Sequence, residues 1–99
     1  MLIEYLNDEL RQLAEDSSYK TKRFHPNLVR AYRKKLDIII TAPNEQSLRS
    51  FKSLRLEKLQ GDRDGQYSIR LDSQFRLILR FKRIEPHKVA VLIEIVDYH

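Results

Sequence analysis

The chain has no cysteine and no apolar run long enough to cross a bilayer. Disulfides and thiolate chemistry are therefore excluded, and nothing in the composition points to an oxidising compartment. The longest apolar run, residues 89–93, is far shorter than the roughly 20 residues of a membrane span. The first residues also lack the basic start and apolar stretch of a signal peptide. We therefore expect a soluble cytoplasmic protein that does not contact a membrane.

The 99 residues are enough for one domain, 1–99, with one modest core. Apolar residues make up 41% of the chain, which is too many for a disordered tail. The three histidines, His25, His87 and His99, are scattered and lack the spacing of metal ligands. We therefore expect no metal site and no other cofactor.

The charge is positive and unevenly distributed. Nineteen Lys and Arg against 14 Asp and Glu give a net charge of +5. Residues 1–18 hold one base and five acids, a net −4, so residues 19–99 carry +9. Such an excess attracts polyanions in a salt-dependent way, although a solvated basic surface has the same composition.

Helical patterns occupy the first half of the chain. After a short first strand over residues 2–6, Asn7 is a capping residue for a helix that ends near residues 17–18. A longer helix is predicted from about Pro26 to the Ala42-Pro43-Asn44 stop. Its apolar side chains recur at three- and four-residue steps: Leu28, Val29, Tyr32, Leu36, Ile39 and Ile40.

Strand patterns occupy the second half. Residues 45–60 show neither period cleanly, and residues 61–65 form a polar turn in which the two glycines allow unusual backbone angles. Period-two alternation then predicts strands over 67–71 and 75–82. Residues 89–96 are apolar on both faces except at Glu94, which predicts an interior strand covered on both sides. We predict an α+β fold with two N-terminal helices packed on a mainly antiparallel sheet.

The strand alternation also predicts an arginine face. Arg70, Arg76 and Arg80 fall opposite the apolar side chains of their strands. If the apolar sets face the helices, these arginines gather on the open side as a basic platform for phosphates. The alternative is an ordinary solvated sheet face.

Four segments in order resemble a known family. They are LEKLQGDRDG at 56–65, QYSIR at 66–70, SQFRL at 73–77 and EIVDYH at 94–99. This order and spacing resembles the HigB toxins of the RelE superfamily, the killer proteins of plasmid maintenance systems. The match covers residues 54–99, and it is specific as a combination rather than in any single piece.

The resemblance implies a RelE-like fold and the toxin of a type II toxin–antitoxin system. Such toxins are endoribonucleases that cut messenger RNA in the ribosomal A site and so inhibit translation. A helix-turn-helix antitoxin of the HigA type would hold the toxin in check and would provide its only link to operator DNA. The acidic N-terminal segment and the first helix are the candidate antitoxin contacts.

RNA cleavage by the 2′-hydroxyl of the substrate needs a base, an acid and cations around the phosphate. An imidazole with a pKa of about 6.5 serves as either base or acid, and arginine donates forked hydrogen bonds to phosphate oxygens. With the resemblance, this predicts the catalytic residues His99, Arg76, Asp97, Tyr98 and Arg70. The predicted RNA contacts are Lys58, Arg63, Tyr67 and Arg80.

Several alternatives stay open at this point. Glu57 occupies a position where some relatives have histidine, so it acts as a base or only pairs with Arg63 or Lys58. Arg76 acts on phosphate or pairs with Asp97 or Glu94 across strands. For the whole chain, the rivals are a non-catalytic module that binds nucleic acid or the ribosome, and an inactive toxin that acts as a co-repressor with its antitoxin.

Overall fold

The computed structural model describes residues 1–97, so Tyr98 and His99 lie outside the described residues. The helices are α1 (Asp8–Glu15), α2 (Pro26–Thr41) and α3 (Glu45–Arg49). The strands are β1 (Leu2–Tyr5), β2 (Glu57–Lys58), β3 (Tyr67–Arg70), β4 (Phe75–Ile84) and β5 (His87–Asp97). Short 3₁₀ turns cover Lys52–Leu54 and Gly61–Arg63.

The five strands form one sheet in the order β1-β5-β4-β3-β2. The strand β1 is parallel to β5, and every other neighbouring pair is antiparallel. The predicted α+β architecture, with α1 and α2 on a mainly antiparallel sheet, is therefore confirmed. The prediction that the last long strand lies in the interior of the sheet is confirmed as well, because β5 lies between β1 and β4.

The two longer helices begin where the sequence predicts. The side-chain oxygen of Asn7 accepts a hydrogen bond from the Leu10 N–H at 2.9 Å, which satisfies one of the free amides of the first turn. At the start of α2, His25 Nδ1 accepts from the Asn27 N–H at 3.0 Å and Pro26 takes the first helical position. Within residues 1–97, no helix is both long enough and apolar enough to span a membrane.

The core lies between the helices and one face of the sheet. Tyr32 of α2 is fully buried, and its hydroxyl donates to the Leu10 carbonyl at 2.8 Å, so the buried polar group is satisfied. Ile40, which the periodicity placed on the buried stripe, is instead 51% exposed, whereas its neighbour Ile39 is fully buried. The sheet supplies buried residues from its central strands: Ile69, Leu77, Leu79, Ala90 and Leu92.

A β-bulge interrupts the pairing of β4 with β5. Ile78 is opposite Glu94, whereas the next residue, Leu79, is opposite Leu92, so Ile93 is the extra residue. The carbonyl of Ile93 accepts a hydrogen bond from Asn7 Nδ2 at 3.0 Å. The residue that caps α1 therefore also holds the bulge.

Candidate active site

Two arginines face each other across neighbouring strands. Arg70 of β3 is in register with Arg76 of β4, and alternation places both on the sheet face opposite the helices. The prediction that these two arginines share a face is confirmed. Like charges directly opposite in an antiparallel pair destabilise it, and an anion bound between them would relieve the repulsion.

Arg76 is held firmly inside the protein. It is only 8% exposed, its Nε donates to Ser68 Oγ at 2.8 Å, and its Nη2 donates to the Arg55 carbonyl at 2.6 Å. Glu57 Oε1 lies 3.9 Å from the same Nη2. The predicted open platform is therefore wrong for Arg76, because the segment from Arg55 to Glu57 covers this part of the sheet.

Arg55 has an unusual backbone conformation for a residue with a side chain. Its φ of 47° and ψ of 55° are left-handed, at the end of the 3₁₀ turn over Lys52–Leu54. This conformation costs a non-glycine residue about 1–2 kcal/mol. The carbonyl of Arg55 accepts the hydrogen bond from Arg76 in this arrangement. Backbone strain of this kind is concentrated at functional sites in proteins.

The two facing arginines line a cavity of about 220 Å³, which we name the arginine pocket. A water molecule in the liquid takes about 30 Å³, so this volume has room for a phosphate group with bound water. Arg70 is oriented there by a hydrogen bond from its Nε to the Asp72 carbonyl at 3.1 Å. The lining residues are Arg55, Arg70, Asp72, Ser73, Gln74 and Arg76.

The end of β5 reaches the rim of the arginine pocket. Asp97 is in register with Phe75, so alternation places it on the helix side of the sheet and not on the face of Arg76, and its Oδ2 accepts a hydrogen bond from Gln74 Nε2 at 2.9 Å. Because Gln74 also lines the pocket, Asp97 is connected to it through this amide. The predicted catalytic residues Tyr98 and His99 follow directly, and they lie outside the described residues.

Two of the predicted RNA contacts lie on the other face of the sheet. Tyr67 of β3 packs against the helix-side core, and its ring meets Phe81 edge to face at 5.1 Å between centroids. Lys58 of β2 is exposed and in register with Tyr67, so it shares that face. The structure therefore does not bring either residue to the arginine pocket.

The other two predicted RNA contacts are on the correct face but outside the pocket. Arg63 pairs with Glu94 at 2.7 Å and donates to Gln66 Oε1 at 3.0 Å, so Glu94 is taken by Arg63 rather than by Arg76. Arg80 is four residues from Arg76 along β4, about 13 Å at the rise of a strand. Of the three arginines expected to cluster, Arg70 and Arg76 therefore do so and Arg80 does not.

Three residues of this site were not among the predicted site residues. Ser68 orients Arg76, and Gln74 orients Asp97. Ser68 and Gln74 lie within the motif segments quoted above, so the motifs could have identified them. Arg55 supplies a carbonyl and a cation, but its left-handed backbone has no signature in the sequence. Among residues 1–97, no group of three or more His, Cys, Asp or Glu side chains is arranged to hold a metal ion.

Comparisons with known proteins agree on the family. The model of the RelE-like toxin of the type II toxin–antitoxin system HigB matches residues 3–99. The chain is 33% identical over 96 residues to Toxin HigB-1 of Vibrio cholerae serotype O1, covering 89% of this chain and 99% of that toxin. The chain therefore belongs to the HigB family of RelE-like toxins, and it is a toxin of a type II toxin–antitoxin system.

Solved structures share the fold at low sequence identity. A YoeB/ParE toxin from Agrobacterium tumefaciens superposes with a TM-score of 0.58 and 16% identity, with full coverage (100%) of both chains. A chain of the toxin–antitoxin complex RelBE2 from Mycobacterium tuberculosis gives a TM-score of 0.51 and 14% identity, over 98% of this chain and 96% of that one. The RelE-like fold predicted from the sequence is confirmed.

Proposed function

We propose that this toxin is a ribosome-dependent, metal-independent endoribonuclease that cuts messenger RNA at the arginine pocket. The observation that carries the proposal is the in-register pair Arg70 and Arg76, which face each other beside the end of β5. A phosphate between two guanidinium groups receives forked, charge-assisted hydrogen bonds. The contacts of Arg76 to Ser68 and to the Arg55 carbonyl use its Nε and Nη2 donors and hold the guanidinium in place, so its positive charge needs no reorganisation when negative charge develops.

In the proposed reaction, the 2′-oxygen of the substrate attacks the adjacent phosphorus and the bond to the 5′-oxygen breaks. A base takes the 2′-hydroxyl proton and an acid protonates the leaving oxygen, so the products are a 2′,3′-cyclic phosphate and a 5′-hydroxyl. We assign His99 to one of these proton transfers, and Asp97 and Tyr98 to orienting it or to sharing it. Arg70 and Arg76 stabilise the crowded phosphate.

Glu57 is a second candidate for proton transfer. Its carboxylate lies 3.9 Å from the Arg76 guanidinium and is about half exposed, so it borders the site and remains accessible. Of the two roles open from the sequence, this position favours a base at the pocket, because Arg63 pairs with Glu94 instead. Glu57→Gln should then lower the rate of cleavage while leaving RNA binding unchanged.

The test maps RNA ends after induction of the wild type, His99→Ala, and the matched control His87→Ala. His87 is exposed at the opposite end of β5, about 33 Å from Asp97 at the rise of a strand. We expect His99→Ala to reduce cleavage about 10²–10⁴-fold and Arg76→Ala about 10²–10³-fold. Toxicity without new 5′-hydroxyl ends in the wild type, or full cleavage by His99→Ala, would refute the proposal.

The proposed partners are the ribosome, messenger RNA and a cognate helix-turn-helix antitoxin, through which alone the toxin would reach operator DNA. The solved relative RelBE2 is a toxin–antitoxin complex, which supports an antitoxin partner. The acidic first turn of α1, with Asp8 and Glu9, remains the candidate contact. Growth arrest on induction that co-expression of the antitoxin relieves would distinguish an active toxin from a co-repressor.

A further inference from the structure

A second cavity adjoins the arginine pocket, on the side of α2. It has a volume of about 490 Å³, and Lys35 of α2 lines it together with Lys52 and Ser53 of the following 3₁₀ turn. This cavity is named the lysine groove. It shares Arg55, Arg70 and Asp72 with the arginine pocket, so a molecule seated between the facing arginines has a direct path into it.

The cations of the lysine groove are not neutralised by the protein. Within residues 1–97, the side chains of Lys35, Lys52 and Arg55 make no ion pair and no hydrogen bond. Several basic side chains elsewhere are matched with carboxylates: Lys82 with Glu4 at 2.7 Å, Lys88 with Glu45 at 3.2 Å, and Arg63 with Glu94 at 2.7 Å. In the lysine groove, by contrast, three cations without such a match lie together.

Asp72 offsets only part of this charge, because it is one carboxylate against four cations in the lining. It is the carboxylate of the lining, and its Oδ1 accepts hydrogen bonds from the backbone N–H of Gln74 at 2.8 Å and of Phe75 at 2.7 Å. It therefore serves the turn between β3 and β4. The positive field is felt by Lys35, whose pKa is lowered by burial and then by the nearby charges of Lys34 and Arg70.

We infer that the lysine groove binds the phosphodiester backbone of the substrate RNA strand next to the phosphate held in the arginine pocket. The inference rests on the proposed function for the phosphate in that pocket. A polymer cut within its length must extend beyond the reacting phosphate, and the lysine groove adjoins that position. Lysine contacts to phosphate are independent of base sequence, so this subsite would add affinity and position the strand without selecting a codon.

The test measures RNA binding by the purified full chain and by the double variant Lys35→Ala/Lys52→Ala. The ligands are 2′-O-methyl RNAs, which have no free 2′-hydroxyl and cannot be cut, of about two and about ten nucleotides. Single-stranded binding changes with salt by about 0.7 log units per phosphate contact. With the longer RNA, the salt slope of the double variant should therefore be smaller than that of the wild type by about 1.4. This difference corresponds to an affinity about 25-fold lower near 0.1 M salt. Binding of the dinucleotide should not change.

The matched control is Lys22→Ala/Lys34→Ala. It removes the same two charges from exposed lysines that do not line the groove, and Lys34 is the sequence neighbour of Lys35. Equal losses of RNA affinity in both double variants would show that the effect comes from the net charge of the protein and not from the groove, and this would overturn the inference. A loss with the dinucleotide as large as with the longer RNA would overturn it too, because the groove would then not be a separate subsite.

Two further results would assign the groove to another partner and also overturn the inference. One is normal binding of the longer RNA with weaker sedimentation with ribosomes, which would indicate ribosomal RNA. The other is binding of an acidic peptide, and not of RNA, that depends on Lys35 and Lys52. If the wild type binds the longer RNA through the groove but cuts no RNA, the proposed function fails while this subsite stands.

Discussion

Replacing Arg55 with glycine should have two opposite effects, because it should stabilise the fold and impair the function of the toxin. A left-handed residue with a side chain costs about 1–2 kcal/mol. Glycine avoids this strain, but the greater backbone entropy that it loses on folding costs about 0.5–1 kcal/mol. Arg55→Gly should therefore raise the free energy of unfolding by about 0.5–1 kcal/mol. For a domain of this size, that corresponds to an increase in Tm of about 2–8 °C. The Arg55 carbonyl remains available to Arg76.

The same substitution removes a cation that lines both the arginine pocket and the lysine groove. RNA affinity should fall and its salt slope should decrease by about 0.7. Lys34→Gly is the control, because it removes the same charge from an exposed position inside α2, where glycine costs about 1 kcal/mol. Thermal unfolding of both variants checks the opposite signs. A decrease in Tm for Arg55→Gly as large as that for Lys34→Gly would refute the strain argument.

Three other predictions follow from described contacts. Ser68→Ala should destabilise the fold by about 1.5–3 kcal/mol, because it deprives the buried Arg76 Nε of its acceptor, and cleavage should fall with it; unchanged denaturant unfolding would contradict this. Tyr32→Phe should cost about 1 kcal/mol through the lost bond to Leu10 while leaving cleavage unchanged, as calorimetry and a cleavage assay would check. Lys35 should titrate below ordinary lysines by NMR. Between the lowered pKa of Lys35 in the folded chain and its higher pKa in the unfolded chain, the unfolded chain binds more protons, so the free energy of unfolding rises as the pH increases through that range. Bound RNA should raise the pKa of Lys35.

The long elements of the fold were predictable from sequence because each has a period and a boundary signal. The helix α2 has 16 residues and proline in its first turn, and β4 and β5 have 10 and 11 residues. Residues 45–60 were not predictable, since they contain a helix of five residues, a 3₁₀ turn of three and a strand of two. Elements this short do not complete enough turns or alternations to show a period.

The candidate site was predictable in part for a related reason. Alternation specified that Arg70 and Arg76 share a face, because the side-chain period of a strand is local. It did not specify what covers that face, which depends on Arg55 and Glu57 from a distant segment. It also placed Tyr67 opposite Arg70, so the assignment of Tyr67 to RNA contacts conflicted with the pattern itself.

The extra residue at Ile93 determines which change in chain length β5 can absorb. Because the residues on either side of it, Leu92 and Glu94, pair with consecutive residues of β4, deleting Ile93 would leave a regular ladder in which every later residue keeps its face. The loss would be the carbonyl that accepts the hydrogen bond from Asn7. A one-residue deletion after the bulge would instead exchange the faces of the residues that follow, and Asp97 would leave the side on which Gln74 meets it. Homologous toxins should therefore tolerate loss of the bulge residue far better than loss of one residue beyond it.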